Sequence, residues 1–213
     1  MKIRSAFAVV GIAALARAQS PAVAQAPPDA VIQVESVATQ ITGSVSVANG
    51  ATKASLKNND RVATGSTVTT AEKSSGVLVF SNGVTAQLGP NSELTVKQFL
   101  QDPFAATVNI AALAEEPSVS KMKLRFVRGE ILVHVKHLNH KQGSSFQIES
   151  PAGTAEVRGT LFKMETNLTD NDATEFKLTV MEGAVAFQPN DRSKPPVVLA
   201  AGHDISAMLP KQP

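Results

Sequence analysis

Three histidines, His134, His137 and His140, are the first residues in this chain whose type and spacing could do chemistry. Imidazole ligates metals and transfers protons. In a helix, steps of three residues would roughly align all three rings. The preceding residues argue for a strand instead, because Ile131, Val133 and Val135 alternate with Leu132, His134 and Lys136. In a strand His134 and His140 share a face but lie ~20 Å apart, too far to hold one metal, and His137 points the other way. A bend near Leu138-Asn139 would bring some of them together. The tract reads as exposed histidines at a strand end, no metal site is assigned, and His203 beside Gly202 reads as a lone turn residue.

Other catalytic arrangements are missing from the sequence. It contains no Gly-x-Ser-x-Gly elbow, no Walker loop and no His-Glu-x-x-His pair. Glu115-Glu116 and Asp170/Asp172 read as solubility features at a helix end and in a loop. Asp170-Asn171-Asp172 is not followed by the glycine and bidentate glutamate that an EF-hand loop requires. The reading assigns no catalytic residue, no cofactor and no enzyme activity. Three charged residues beside glycines remain as surface candidates for binding: Arg128 and Glu130 around Gly129, and Arg158 before Gly159. The simpler alternative is that the glycines hold the fold and the charges are solvated.

Composition narrows the class. The 213 residues suit one domain, or a domain with an extension, and 43% are apolar, enough for a sizeable core. There is no cysteine, tryptophan or tyrosine, which excludes disulfides, thiolate chemistry and a lipoprotein anchor. Charges of 20 basic against 18 acidic residues give no electrostatic case for nucleic acid. The first residues resemble a secretory signal: Lys2 and Arg4, the apolar run Ser5–Leu15, then Ala16-Arg17-Ala18. Cleavage is expected after Ala18, alternatively after Ala24, with 19–30 as a flexible leader. The apolar run falls short of the ~20 residues a membrane span needs. No later segment reads as a span either, so the expected address is periplasmic or secreted.

From Val31 onward the elements that must position any site read as strands. Val84, Ala86 and Leu88 alternate with Thr85 and Gln87, and Phe146 and Ile148 alternate with Gln147 and Glu149. Turn chemistry separates these segments at Asn49-Gly50, Gly89-Pro90-Asn91, Pro151-Ala152-Gly153 and Glu182-Gly183. Asn82-Gly83 between Val77–Phe80 and Val84–Leu88 signals a hairpin. The expectation is an all-β domain over 31–213, with short strands in a twisted solenoid-like or sandwich arrangement. An insertion near 102–120 interrupts it, where Val108–Glu116 would make a short helix or the loop of one more hairpin.

Several phrases then recur in a particular order: 60–65 (DRVATG), 74–80 (SSGVLVF), 82–92 (NGVTAQLGPNS), 124–131 (LRFVRGEI), 148–162 (IESPAGTAEVRGTLF), 180–185 (VMEGAV) and 199–202 (LAAG). Together they resemble the FecR domain, the periplasmic sensor domain of bacterial iron-uptake regulators, from about Ile41 to Ile205. The resemblance implies an all-β, solenoid-like fold and a protein partner. In those regulators a cytoplasmic segment binds a sigma factor and a transmembrane helix follows. This sequence opens on a signal-like segment instead, so the resemblance implies a free-standing exported version of the sensor domain.

The leading functional expectation is a non-enzymatic interaction or sensing module that binds another envelope protein. A glycan- or peptidoglycan-binding module is the alternative, weakened by the lack of tryptophan and tyrosine for sugar stacking. A hydrolase or lyase is the least favoured reading.

Overall fold

The computed structural model describes residues 32–33, 35–104, 109–168 and 173–209. The signal-like segment, the leader and Asp170/Asp172 lie outside the described residues. Among the described residues seventeen strands follow one another. They are β1 (Ile32–Gln33), β2 (Ser36–Thr42), β3 (Val45–Asn49), β4 (Thr52–Ser55), β5 (Arg61–Val62), β6 (Thr67–Thr70), β7 (Ser75–Val79), β8 (Thr85–Leu88) and β9 (Glu93–Gln101). After the insertion come β10 (Ser120–Val135), β11 (Ser145–Glu149), β12 (Gly153–Val157), β13 (Thr160–Leu168), β14 (Thr174–Glu182), β15 (Ala184–Pro189), β16 (Val197–Ala200) and β17 (Asp204–Leu209). The all-β expectation is met.

The strands form two sheets that share β10. One runs β4-β3-β6-β9-β10-β11-β12-β15-β16, with β1 beside the far end of β9. The other runs β5-β2-β7-β8-β10-β13-β14-β17. Among the described residues no ladder joins one end of either sheet to another end, so neither closes into a barrel. Every ladder is antiparallel except β10 with β11. The chain crosses repeatedly from one sheet to the other, which gives a sandwich with a winding path.

Alternation builds the space between the sheets. Ile131, Val133 and Val135 are buried as their spacing requires, as are Val84, Ala86, Leu88, Phe146 and Ile148. Three phenylalanine pairs each join a ring from one sheet to a ring from the other. Phe80, at the end of β7, meets Phe99 of β9 at 5.3 Å between ring centres. Phe146 of β11 meets Phe162 of β13 at 6.4 Å, and Phe176 of β14 stacks on Phe187 of β15 at 5.8 Å. Edge-to-face and offset rings add about 0.5–1.5 kcal/mol per pair beyond area burial.

The Asn82-Gly83 hairpin forms between β7 and β8. The loop is three residues long: the Gly83 N–H donates to the Phe80 carbonyl at 2.9 Å, and Gly83 then takes a φ of 85°. This is a type I turn followed by a left-handed glycine. Asn82 is fully buried, and its amide donates to the Ser120 hydroxyl at 3.1 Å. Among its described residues the insertion contains a single 3-10 turn, Ile110–Ala112, rather than a longer helix over Val108–Glu116, whose first residue lies outside the described set. So short a segment between Pro103 and Pro117 is below the length at which helices propagate well. Its end pairs with another element instead, as Glu116 N–H donates to the His137 carbonyl at 3.0 Å.

The passage of β10 between sheets is made at Gly129. Ser120–Arg128 runs beside β9, and Gly129–Val135 runs beside β13. Gly129 has a φ of 90°, and a Cβ there would collide with the backbone of Ser92. The buried Ser92 hydroxyl donates to the Glu130 carbonyl at 2.8 Å and accepts from the Glu130 N–H at 2.9 Å. Gly129→Ala is expected to destabilise the domain by about 2–4 kcal/mol, through left-handed strain and overpacking. Gly50→Ala, at a φ of 57° with open space around it, should cost about 1 kcal/mol or less. Urea unfolding of both variants checks this. Equal losses would show that close approach at the corner is not the constraint.

Candidate functional site

The charged candidates lie at two corners of the same kind. Val127-Arg128-Gly129 and Val157-Arg158-Gly159 both carry the chain from the first sheet into the second, with φ near 90° at each glycine. Val157 is buried, Arg158 is exposed, and the Thr160 hydroxyl donates to the Ala184 carbonyl at 3.0 Å. The structure does not bring the corners together. Gly129 stands opposite Thr166 and Val135 opposite Thr160, so the corners occupy opposite ends of the β10–β13 ladder. Six residues of strand separate them by ~20 Å.

The two corners differ in what their charges do. Arg128 Nε is 3.2 Å from the Glu93 carboxylate, and Glu130 is 3.1 Å from Lys163 Nζ. Lys163 also reaches Glu165 at 2.9 Å. The hydrogen bond that Lys163 donates to Glu165, aided by Glu130, holds its ammonium above the ordinary pKa. Partly exposed pairs of this kind contribute about 0–1 kcal/mol. Arg158 makes no ion pair or hydrogen bond among the described residues.

Arg158 instead borders the histidine tract. The chain does bend at Leu138-Asn139, into a 3-10 turn at His140–Gln142 closed by Gly143 at a φ of 101°. His134 stays within β10, opposite Thr85 of β8 and Leu161 of β13. His137 and His140 turn into a cleft of about 580 Å³ with Glu115, Glu116, Lys141 and Arg158. Gly159 makes room for this arrangement, since a Cβ there would sit 2.6 Å from His137 Nδ1. His140 Nε2 is buried without a hydrogen-bond partner among the described residues. Among the described residues no three histidine or carboxylate side chains converge there as metal ligands would.

Glu116 corrects the reading of Glu115-Glu116 as mere solubility features. Its Oε2 accepts from the Ser120 hydroxyl at 2.6 Å and its Oε1 accepts from the Asn139 N–H at 2.6 Å. The carboxylate therefore pins the insertion to both ends of the β10 region. Sequence carried no signal for this, because the Glu116 and Asn139 partners are 23 residues apart without any periodic relation. The surface also weighs against sugar stacking. Phe80, Phe99, Phe126, Phe146, Phe162, Phe176 and Phe187 are all buried, leaving half-buried Phe104 as the remaining described phenylalanine.

Glu116→Gln keeps one acceptor and loses the charge. It should accelerate hydrogen exchange at the Asn139 amide by about ten- to a hundredfold, for a charge-assisted bond worth about 1.5–3 kcal/mol, while β10 amides at Val133 and Val135 keep their protection. Uniform acceleration across β10 would mean that Glu116 supports the whole domain rather than the clip.

Comparison with known proteins follows this geometry. Two crystal structures of a protein described as an anti-sigma factor, from Parabacteroides distasonis ATCC 8503, align with TM-scores of 0.48 and 0.45 at 13% and 11% identity. Each alignment covers 67% of this chain and 54% of the other, so this chain spans about half the length of those proteins. No curated protein matches. No helix among the described residues is long and apolar enough to cross a membrane. The family model described as FecR protein matches residues 66–186, which lie inside the stretch whose ordered phrases carry the resemblance and make up more than half of the chain. The chain belongs to the FecR protein family.

Proposed function

We propose that this chain is an exported, non-enzymatic interaction module of the cell envelope that binds another envelope protein by adding a strand to an open sheet edge. The observation that carries the reading is the contrast among the four terminal strands. β4 is exposed throughout and carries the charge of Lys53, and β5 is two residues long, both common protections for an edge. β16 has neither protection. Its sequence is Val-Val-Leu-Ala, among the described residues it pairs with β15 alone, and Val198 is 72% exposed. β17 is likewise paired on one side, with Met208 exposed.

An unpaired row of backbone groups beside exposed aliphatic side chains suits an extended partner segment: main-chain bonds supply affinity and alternate side chains supply selectivity. Membership in a family of envelope sensor domains supports a protein partner, and the signal-like first residues support export. The address is periplasmic or secreted.

A photo-crosslinking residue placed at Val198 is expected to capture one dominant envelope protein in living cells, identified by mass spectrometry. The same residue at Lys53 in β4 should capture none above background. Capture of the same protein equally from both positions, or of none from Val198, would overturn the edge-binding reading.

A further inference from the structure

The cleft at the Arg158 corner is not explained by an open sheet edge. It lies where the His137–Lys141 bend meets the insertion, and its volume of about 580 Å³ falls in the ~300–1,000 Å³ range of ligand pockets. Two of its cations have no partner among the described residues: the Arg158 guanidinium and the Lys141 ammonium. Its carboxylates are not equivalent. Both oxygens of Glu116 are occupied by Ser120 and Asn139. Glu115 is exposed at the rim, held by its backbone bridge to His137. The Gly159 backbone packs against His137, which fixes the main chain of the corner next to Arg158.

We propose that this cleft binds a carboxylate group of an extended acidic peptide, with Arg158 as the bidentate anchor and Lys141 as a second cation. A guanidinium presents parallel N–H donors that match a carboxylate, and it stays charged at any physiological pH. A phosphate dianion would also suit the guanidinium. Glu115 and Glu116 in the lining oppose its second charge, so a single carboxylate is the better fit. The site is independent of β16 and β17, so its failure and that of the edge-binding reading are read separately.

The test is an amide NMR titration of the full chain at constant ionic strength, with triglutamate as one probe and inorganic phosphate as the other. Triglutamate should shift the His137, Lys141, Arg158 and Gly159 amides saturably and more tightly than phosphate. Arg158→Gln should weaken that binding about tenfold or more, as loss of a charge-assisted contact implies. Lys141→Gln should weaken it less, and Glu115→Gln should tighten it by removing the opposing charge. Arg192→Gln, an exposed arginine elsewhere, should leave it unchanged. The proposal is overturned by absence of saturable shifts, by equal weakening in Arg158→Gln and Arg192→Gln, or by tighter binding of phosphate than of triglutamate.

Discussion

One strand has to serve two sheets, and the rest of the molecule is arranged around how it does so. β10 pairs with β9 and β11 in its first half and with β8 and β13 in its second. An ordinary residue at the changeover would meet the Ser92 backbone. Glycine removes that obstacle and supplies the left-handed φ. The Ser92 hydroxyl then accepts from the Glu130 N–H and shares the Glu130 carbonyl with the Gly89 N–H, so both backbone groups at the corner are paired. The three cross-sheet phenylalanine pairs depend on this corner, because it sets how the second sheet lies over the first.

The repeat of Val-Arg-Gly shows how the same local sequence serves different ends. At Gly129 the missing side chain lets β10 pass a neighbouring backbone, and the adjoining charges are drawn into pairs with Glu93 and Lys163. At Gly159 the missing side chain admits the His137 ring, and the adjoining arginine keeps its donors. The local motif sets the turn, and the neighbours brought there by tertiary structure set what the arginine can do.

This distinction marks how much was legible in the sequence. Strand alternation placed Ile131, Val133 and Val135 in the core because a two-residue period is a local property of the chain. The bend near Leu138-Asn139 was open as an alternative to a straight strand end, and the Asn82-Gly83 hairpin was readable from its turn residues. The parallel pairing of β10 with β11 was not, since nothing in either strand encodes the direction of its partner. Nor was the burial of Asn82 on Ser120, or the clip made by Glu116, because each joins residues with no periodic relation. The candidate site was legible as residues and not as a place: Arg158 and the histidines were visible singly, and only the fold put His137, His140 and Arg158 beside one cleft.

The four-fold pairing of β10 also dictates an order of events as the polypeptide is made. β8 and β9 precede it in the chain, and each uses it as a neighbour. Until residue 135 has emerged from the ribosome, both sheets are missing their common member, and the edges of β8 and β9 remain open. Non-local ladders of this kind form slowly, and exposed strand edges are where nascent chains associate wrongly. The N-terminal half therefore carries open strand edges at β8 and β9 until β10 is available to cover them.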